Sequence, residues 1–295
     1  MAGPQADVNR INLIRRGIYI LVAAAVITPC LVEMHTDFEA SSRVKRFYDK
    51  VDSLKPGSHV LLAFDFDPAS KAELYPMSLA LLRHCFKKDL VPIVVTHWPT
   101  GLGLCKQLCE KAAGESKQLW GTEKVSGRDY VLLGFRPGGS NLILNMGEDL
   151  KRAFAKDFYG KPTQDMEALQ GVESLKDVDL GIDIAAGATV EMWIAYGSDL
   201  FGFPLGAGCT AVIAPDLYPF LHSKQLVSFL GGLRDAADYE QLLRESVEAE
   251  GGKMEPGQAT LAMPPQSSAH ALVIVLILAA NVRFIALRLR RKRGG

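Results

Sequence analysis

The order of apolar and polar positions divides the chain into two oily ends and a mixed middle. Residues 17–32 read GIYILVAAAVITPCLV without a charge, and Arg15 and Arg16 stand directly before them. At the helical rise this run covers roughly 24 Å, short for a bilayer core, so flanking residues must snorkel or the bilayer must thin. Residues 269–287, AHALVIVLILAANVRFIAL, form the second run. Arg283 falls near its basic end, where the stem can follow apolar surface while the guanidinium reaches head groups. Both runs are expected to be transmembrane helices, because neither carries the polar stripe of a surface helix. A cleaved signal peptide competes for the first run, but no A-x-A-like cleavage site follows it. Ile27, Thr28 and Pro29 also lack the small residues that a lipoprotein motif puts before its cysteine, here Cys30.

The middle alternates between strand-length apolar runs and helical spacing. Residues 59–66 (HVLLAFDF), 91–96 (VPIVVT), 130–135 (YVLLGF), 178–185 (VDLGIDIA) and 209–214 (CTAVIA) predict five strands. Leu74, Met77, Leu81, Leu82 and Cys85 recur at helical spacing after the first. Further helices are expected over 43–54, 102–113, 148–158 and 226–248, with 141–145 extending the third strand as a hairpin. Strands with no polar alternation are those buried on both faces, which a parallel sheet requires because crossover helices cover each side. The predicted fold is therefore α/β: a three-layer sandwich with a mostly parallel, Rossmann-like sheet, flanked by the two terminal helices. The expected organisation is an N-terminus over 1–16, an anchor over 17–32, a linker helix over 33–57, the α/β domain over 58–250, a Gly/Pro/Gln-rich tether over 251–268, a span over 269–287 and a basic tail over 288–295.

Charge adds direction. The 33 basic and 33 acidic residues cancel, which leaves no long-range field to attract nucleic acid. Their placement is uneven: Arg10, Arg15 and Arg16 precede the first run, whereas Glu33, Asp37 and Glu39 follow it. Beyond the second run lie Arg288, Arg290, Arg291, Lys292 and Arg293. The positive-inside rule then predicts both termini in the cytoplasm and the domain on the opposite face of the membrane, in the periplasm or outside. Arg43, Lys45 and Arg46 count in the opposite sense. Expected partners are the bilayer and other membrane subunits or further copies of the chain. Two spans without GxxxG offer no pore. Cys85, Cys105, Cys109 and Cys209 sit in apolar or helical patterns, which reads as core packing and not a disulfide framework.

In a parallel sheet ligands bind beyond the carboxyl ends of the strands. Those ends deliver Asp65, Asp67 and Ser70; Thr96, His97 and Trp98; Asp179 and Asp183; and Pro215 with Asp216. His97 is a candidate general base and Trp98 a stacking platform. Gly138 and Gly139, with Gly206 and Gly208, stand in glycine-rich stretches read as loops whose backbone N–H groups could face a ligand. Neither matches a P-loop or GxGxxG fingerprint. Cys209 is comparable with a nucleophile, though an apolar strand makes it a buried small hydrophobe.

Asp65-Phe66-Asp67 after an apolar strand resembles the first motif of haloacid-dehalogenase-like phosphotransferases. That resemblance implies Asp65 as nucleophile, Asp67 as acid/base, Thr96 as the phosphate-binding hydroxyl, Lys161 as the cation, and Asp179 with Asp183 as acids for Mg²⁺. Pro68 and Ala69 depart from the Gly and Thr that usually follow the second Asp. Structural readings compete: Asp67 as a helix cap with Pro68 at the first position, or Ser70 and Glu73 as a capping box. Over most of its length the chain resembles an uncharacterised set of prokaryotic membrane-anchored α/β proteins, on FDFDPAS (64–70), ALLRHCF (80–86), FPLGAGCTAV (203–212) and GGLRDAADYE (231–240). This second resemblance implies architecture and carries no activity. The function expected is a membrane-tethered ligand-binding or assembly module without a cofactor; the alternative is a membrane-bound, Mg²⁺-dependent phosphohydrolase.

Overall fold

The computed structural model describes residues 4–32 and 39–293. It divides into a compact unit, Phe38–Thr260, and the two terminal segments. In the terminal segments, α1 (Pro4–Leu31) and the distal part of α11 (Gln258–Arg293) are each long and apolar enough to cross a membrane. Leu13, Ile20, Leu278 and Phe284 on them are exposed. The candidate span in α1 runs over Ile11–Leu31, about 31 Å at the helical rise, and includes Arg15 and Arg16, whose side chains would have to reach the head groups. Because α11 starts at Gln258, the tether expected over 251–268 shortens to the residues between Ala249 and Gln258. Glu33 and Asp37, two of the charges in the sidedness argument, lie outside the described residues.

The compact unit opens with α2 (Ser42–Asp52), whose N-cap Ser41 accepts the Val44 N–H. The first half of the sheet then follows as β1 (His59–Asp65), α3 (Lys71–Lys87), β2 (Val91–Thr96), α4 (Leu102–Trp120) and β3 (Val131–Phe135). The chain crosses through α5 (Ser140–Glu148), α6 (Leu150–Ala153) and an irregular stretch to β4 (Leu180–Ala185). Next come α7 (Thr189–Trp193), one π turn over Ile194–Ser198, α8 (Asp199–Phe201) and β5 (Leu205–Cys209). The unit continues through α9 (Ala214–His222), β6 (Phe229–Gly231) and α10 (Gly232–Ala249). All six strands are parallel, in the order β3-β2-β1-β4-β5-β6. This is the doubly wound α/β architecture that the unbroken apolar runs predict.

Both faces of the sheet are covered. Leu61, Ala63, Ile93 and Val95 on one face pack with Ile143, Phe154, Trp193 and Leu217. Helices α2, α3, α4 and α10 pack on one another over the opposite face. Each fully buried leucine there stabilises the fold by about 1.5–3 kcal/mol. Arg43 ties α2 to the far edge: its guanidinium donates to Phe229 O at 2.8 Å, pairs with Asp235 at 2.6 Å and lies 4.0 Å from the Phe229 ring centre. Deeper in that layer, buried His84 accepts from the Tyr239 hydroxyl through Nδ1 (2.7 Å) and donates from Nε2 to Asp52 (3.3 Å). Burial holds its pKa below the ordinary histidine value, while the His84 N–H and Lys88 hold Asp52 down at about 2.

The structure corrects the sequence reading at four elements. Residues 141–145 are helical in α5 and not a hairpin, because Gly138 (φ +144°) and Gly139 (φ +52°) turn the chain straight out of β3. The helix expected over 148–158 is the four-residue α6, which Asp149 caps anew through the Arg152 N–H. The fifth strand lies over Leu205–Cys209 and not 209–214. Residues 229–231 form a sixth strand ahead of α10, inside the helix expected over 226–248. Gly206 and Gly208 are therefore strand positions and not a ligand loop: a Cβ at Gly206 would meet the Phe47 ring at 2.4 Å, and one at Gly208 would meet Ile184 and Met77 at 2.4 Å.

Candidate functional site

The strand order reverses between β1 and β4. From β1 the chain leaves to α3 on one face, and from β4 it leaves to α7 on the other, so the carboxyl ends of these two strands form the switch point at which α/β sheets of this kind hold their ligands, here called the β1/β4 crevice. Asp65 ends β1, Thr96 ends β2 with His97 following, and Asp183 lies two residues before the end of β4. Register pairs Ala63 with Asp183 and Asp65 with Ala185. Since side chains alternate between faces, Asp65 and Asp183 point to the same face of the sheet.

Asp65 is fully buried, and His97 covers it twice. The His97 backbone N–H donates to Oδ1 at 2.6 Å, and ring Nδ1 lies 2.9 Å from Oδ2. The Thr96 hydroxyl accepts the Trp98 N–H at 3.0 Å and stands 3.3 Å from Asp65 Oδ1. A carboxylate only accepts, so Nδ1 carries the proton, and in the neutral ring Nε2 is left as an acceptor. That Nε2 is buried without a protein partner. The Trp193 ring meets the imidazole edge-on, with centroids 5.4 Å apart.

Asp183 is fully buried, and neither of its carboxyl oxygens makes a well-formed hydrogen bond, although the Thr189 hydroxyl and the Asp65 carboxyl stand close enough to act on it as side-chain hydrogen-bond partners. Burial first, then the charge of Asp65, pushes its pKa well above the carboxylate range; Thr189 acts in the opposite sense. Thr189 Oγ1, Glu191 Oε2 and Trp193 Nε1, all on α7, are likewise buried without a well-formed hydrogen bond. Six of the eleven such atoms among the described residues thus belong to His97, Asp183 and α7. Left unmet, a buried polar group costs about 1–3 kcal/mol. This concentration makes the β1/β4 strand ends the candidate site, because a buried polar group without a full protein partner calls for one from outside, water or ligand.

The mouth is built by two glycines and an indole. Trp98 follows β2 yet touches Gly187 beyond β4: a Cβ added there would lie 3.1 Å from Trp98 Cζ2. As β1 lies between those strands, the indole spans the end of β1 like a roof. Gly101 permits the close turn behind it, since a Cβ at that position would be 2.6 Å from Phe66 O and 3.2 Å from Thr96 Oγ1.

Of the residues singled out by sequence, Asp65, Thr96, His97, Trp98 and Asp183 come together here. Gly139 approaches from the side, where a Cβ would sit 3.7 Å from Met192 Sδ on α7. Asp67 turns away and caps the next turn by accepting the Ala69 N–H at 3.0 Å, with Pro68 at the first position. Ser70 makes no side-chain cap, and Glu73 reaches Ala211 N at 2.9 Å, so the capping box is not formed. Asp179 accepts the His59 N–H at 2.8 Å at the opposite end of β1 and β4. Lys161 lies in the turn closed by Asp157, next to β3 and two strands from β1. The acids implied for Mg²⁺ are therefore dispersed, and no group of three metal-ligating side chains occurs among the described residues. Cys209 is buried, its thiol pushed up to about 12 by burial, far from an activated nucleophile. Thr189, Glu191 and Trp193 carried no sequence signal, since Trp193 in an apolar helix reads as core.

No protein-family model matches the chain, and no curated protein does. Among solved structures it is similar to the crystal structure of AibC (12% identity, 79% of this chain and 45% of that chain, TM-score 0.28). It is also similar to trehalose-6-phosphate synthase OtsA (9% identity, 84% of this chain and 46% of that chain, TM-score 0.30). The chain thus spans less than half the length of either structure, and at these TM-scores neither likeness bears on its ligand or activity.

Proposed function

We propose that the protein is a membrane-tethered α/β module that binds a small polar ligand in the crevice between β1 and β4. The observation that carries this reading is the group of buried side chains on β2, β4 and α7 whose polar atoms make no well-formed hydrogen bond within the protein. The two terminal apolar helices support a bilayer location; the placement of Arg and Lys at the two ends favours cytoplasmic termini with the domain on the outer face, and the resemblance to prokaryotic membrane-anchored proteins favours an inner membrane. Tethering at both ends restricts the binding event to the membrane surface, which suits a sensing or assembly role beside other membrane subunits. The resemblance to prokaryotic membrane-anchored α/β proteins agrees with this architecture.

Phosphoryl transfer is not favoured. Asp65 has both oxygens engaged by His97, and Asp67 caps a turn instead of facing a leaving group. The binding reading is tested by melting the full chain in lipid nanodiscs against neutral sugars, amines, carboxylates and phosphates. At least one class should raise the melting temperature in the native chain and not in Asp183→Leu, which removes both donor and acceptor. No rise with any class contradicts the reading.

A further inference from the structure

The ligand site can be read for its chemistry, an inference that rests on the binding role just proposed. Ligand-facing groups of one kind select ligands of the other kind. A phosphate or carboxylate site presents donors and positive charge, whereas an ammonium site presents acceptors alone. The buried groups without a well-formed hydrogen bond here are mixed. His97 Nε2 and Glu191 Oε2 accept, the Trp193 indole N–H donates, and the neighbouring Thr189 hydroxyl and Asp183 carboxyl can do both, Asp183 in its protonated form. The charges acting on Asp183 come from Asp65 and Glu191, which repel anions. Hydroxyl groups, each a donor and an acceptor, satisfy such a set without bringing a charge into a buried place. The Trp98 indole, whose edge reaches Gly187, brings a flat apolar ring to the same strand ends, and such a ring suits the C–H face of a pyranose.

We infer that the crevice between β1 and β4 binds a neutral polyhydroxylated ligand, a sugar or polyol, with His97, Asp183 and Thr189 hydrogen-bonding its hydroxyls and Trp98 stacking on its ring. His97 is oriented for this by Asp65, which keeps the proton on Nδ1 and presents Nε2 to a ligand O–H. Glu191 and Trp193 complete the inner wall.

The test follows tryptophan fluorescence of the full chain in lipid nanodiscs, which avoids sugar-based detergents. The chain is titrated with D-glucose, D-galactose, D-xylose and N-acetylglucosamine, and separately with glucose 6-phosphate, acetate and ethylammonium. A neutral sugar should give a saturable change that survives Trp120→Phe, is lost in Trp98→Ala and is weakened about tenfold in Thr189→Val. Thr189→Ser, which keeps the hydroxyl, should restore binding, and this guards against a mere packing effect. Saturation by an anion or the ammonium ion without any sugar response overturns the ligand class and leaves the binding role standing. No response to any of the seven probes, with the native melting temperature unmoved, overturns both, and the crevice then holds ordered water only.

Discussion

Asp65 holds His97 at two points, through the backbone N–H at 2.6 Å and through Nδ1 at 2.9 Å, so that the far nitrogen of the ring points into a buried place with no protein partner. Strand β1 thereby sets the tautomer of a side chain on the neighbouring strand. Asp65→Asn reverses this logic, because the amide nitrogen donates where the carboxylate accepts and the proton moves to Nε2. Ligand affinity should fall at least about tenfold, with a stability loss of about 1–3 kcal/mol read by denaturant unfolding.

Asp183 gives the crevice a pH signature. Its folded pKa is raised by burial and by Asp65, while in the unfolded chain it returns to about 3.9. Between those values the folded state binds the extra proton. The stability associated with this group is therefore greatest at low pH and declines as pH rises through the window, by at most about 1.4 kcal/mol per unit. Asp183→Asn should flatten that component: the difference between native and variant melting temperatures should widen in favour of the variant from pH 4.5 to pH 8. A constant difference contradicts it.

Gly101 and Gly103 lie two residues apart and should respond oppositely to alanine. At Gly101 the added methyl would stand 2.6 Å from the Phe66 carbonyl oxygen, within the turn that sets Trp98 over the crevice. A loss of about 1–3 kcal/mol is expected, together with weakened ligand binding. At Gly103, inside α4, nothing lies within 4 Å, so alanine should leave binding intact and stabilise by about 0.5–1 kcal/mol. Paired unfolding curves and titrations check both.

The legible part of the fold was the part where strands are buried by their own side chains. β1 to β4 stand out as unbroken apolar runs, and their ends located Asp65, Thr96, His97 and Asp183. β5 was misplaced because its sequence, LGAGC, is glycine-rich: Phe47, Ile184 and Met77 fill the space its own side chains leave. β6 has only three residues and no pattern to detect. Asp67 looked as chemical as Asp65, and only the direction of its side chain, toward Ala69 N, separates a cap from a site. Thr189, Glu191 and Trp193 reach the crevice through the packing of α7 on the sheet, a relation that no local pattern encodes.

Membrane sidedness can be read independently of the crevice. Tags fused to the two ends should be protected from protease added outside intact cells, and Lys224, on an exposed turn of the compact unit, should become labelled by an impermeant amine reagent. The opposite pattern, with tags cleaved and the domain protected, contradicts the proposed orientation.

The most direct test of the central claim is the state of one nitrogen, His97 Nε2. In ¹⁵N spectra of the imidazole in the full chain at neutral pH, Nδ1 should carry the proton and Nε2 should show the shift of an unprotonated nitrogen. Addition of whichever sugar saturates the Trp98 fluorescence should move Nε2 and leave Nδ1 in place. A protonated Nε2 in the free protein, or an Nε2 signal unmoved at saturation, would contradict the account.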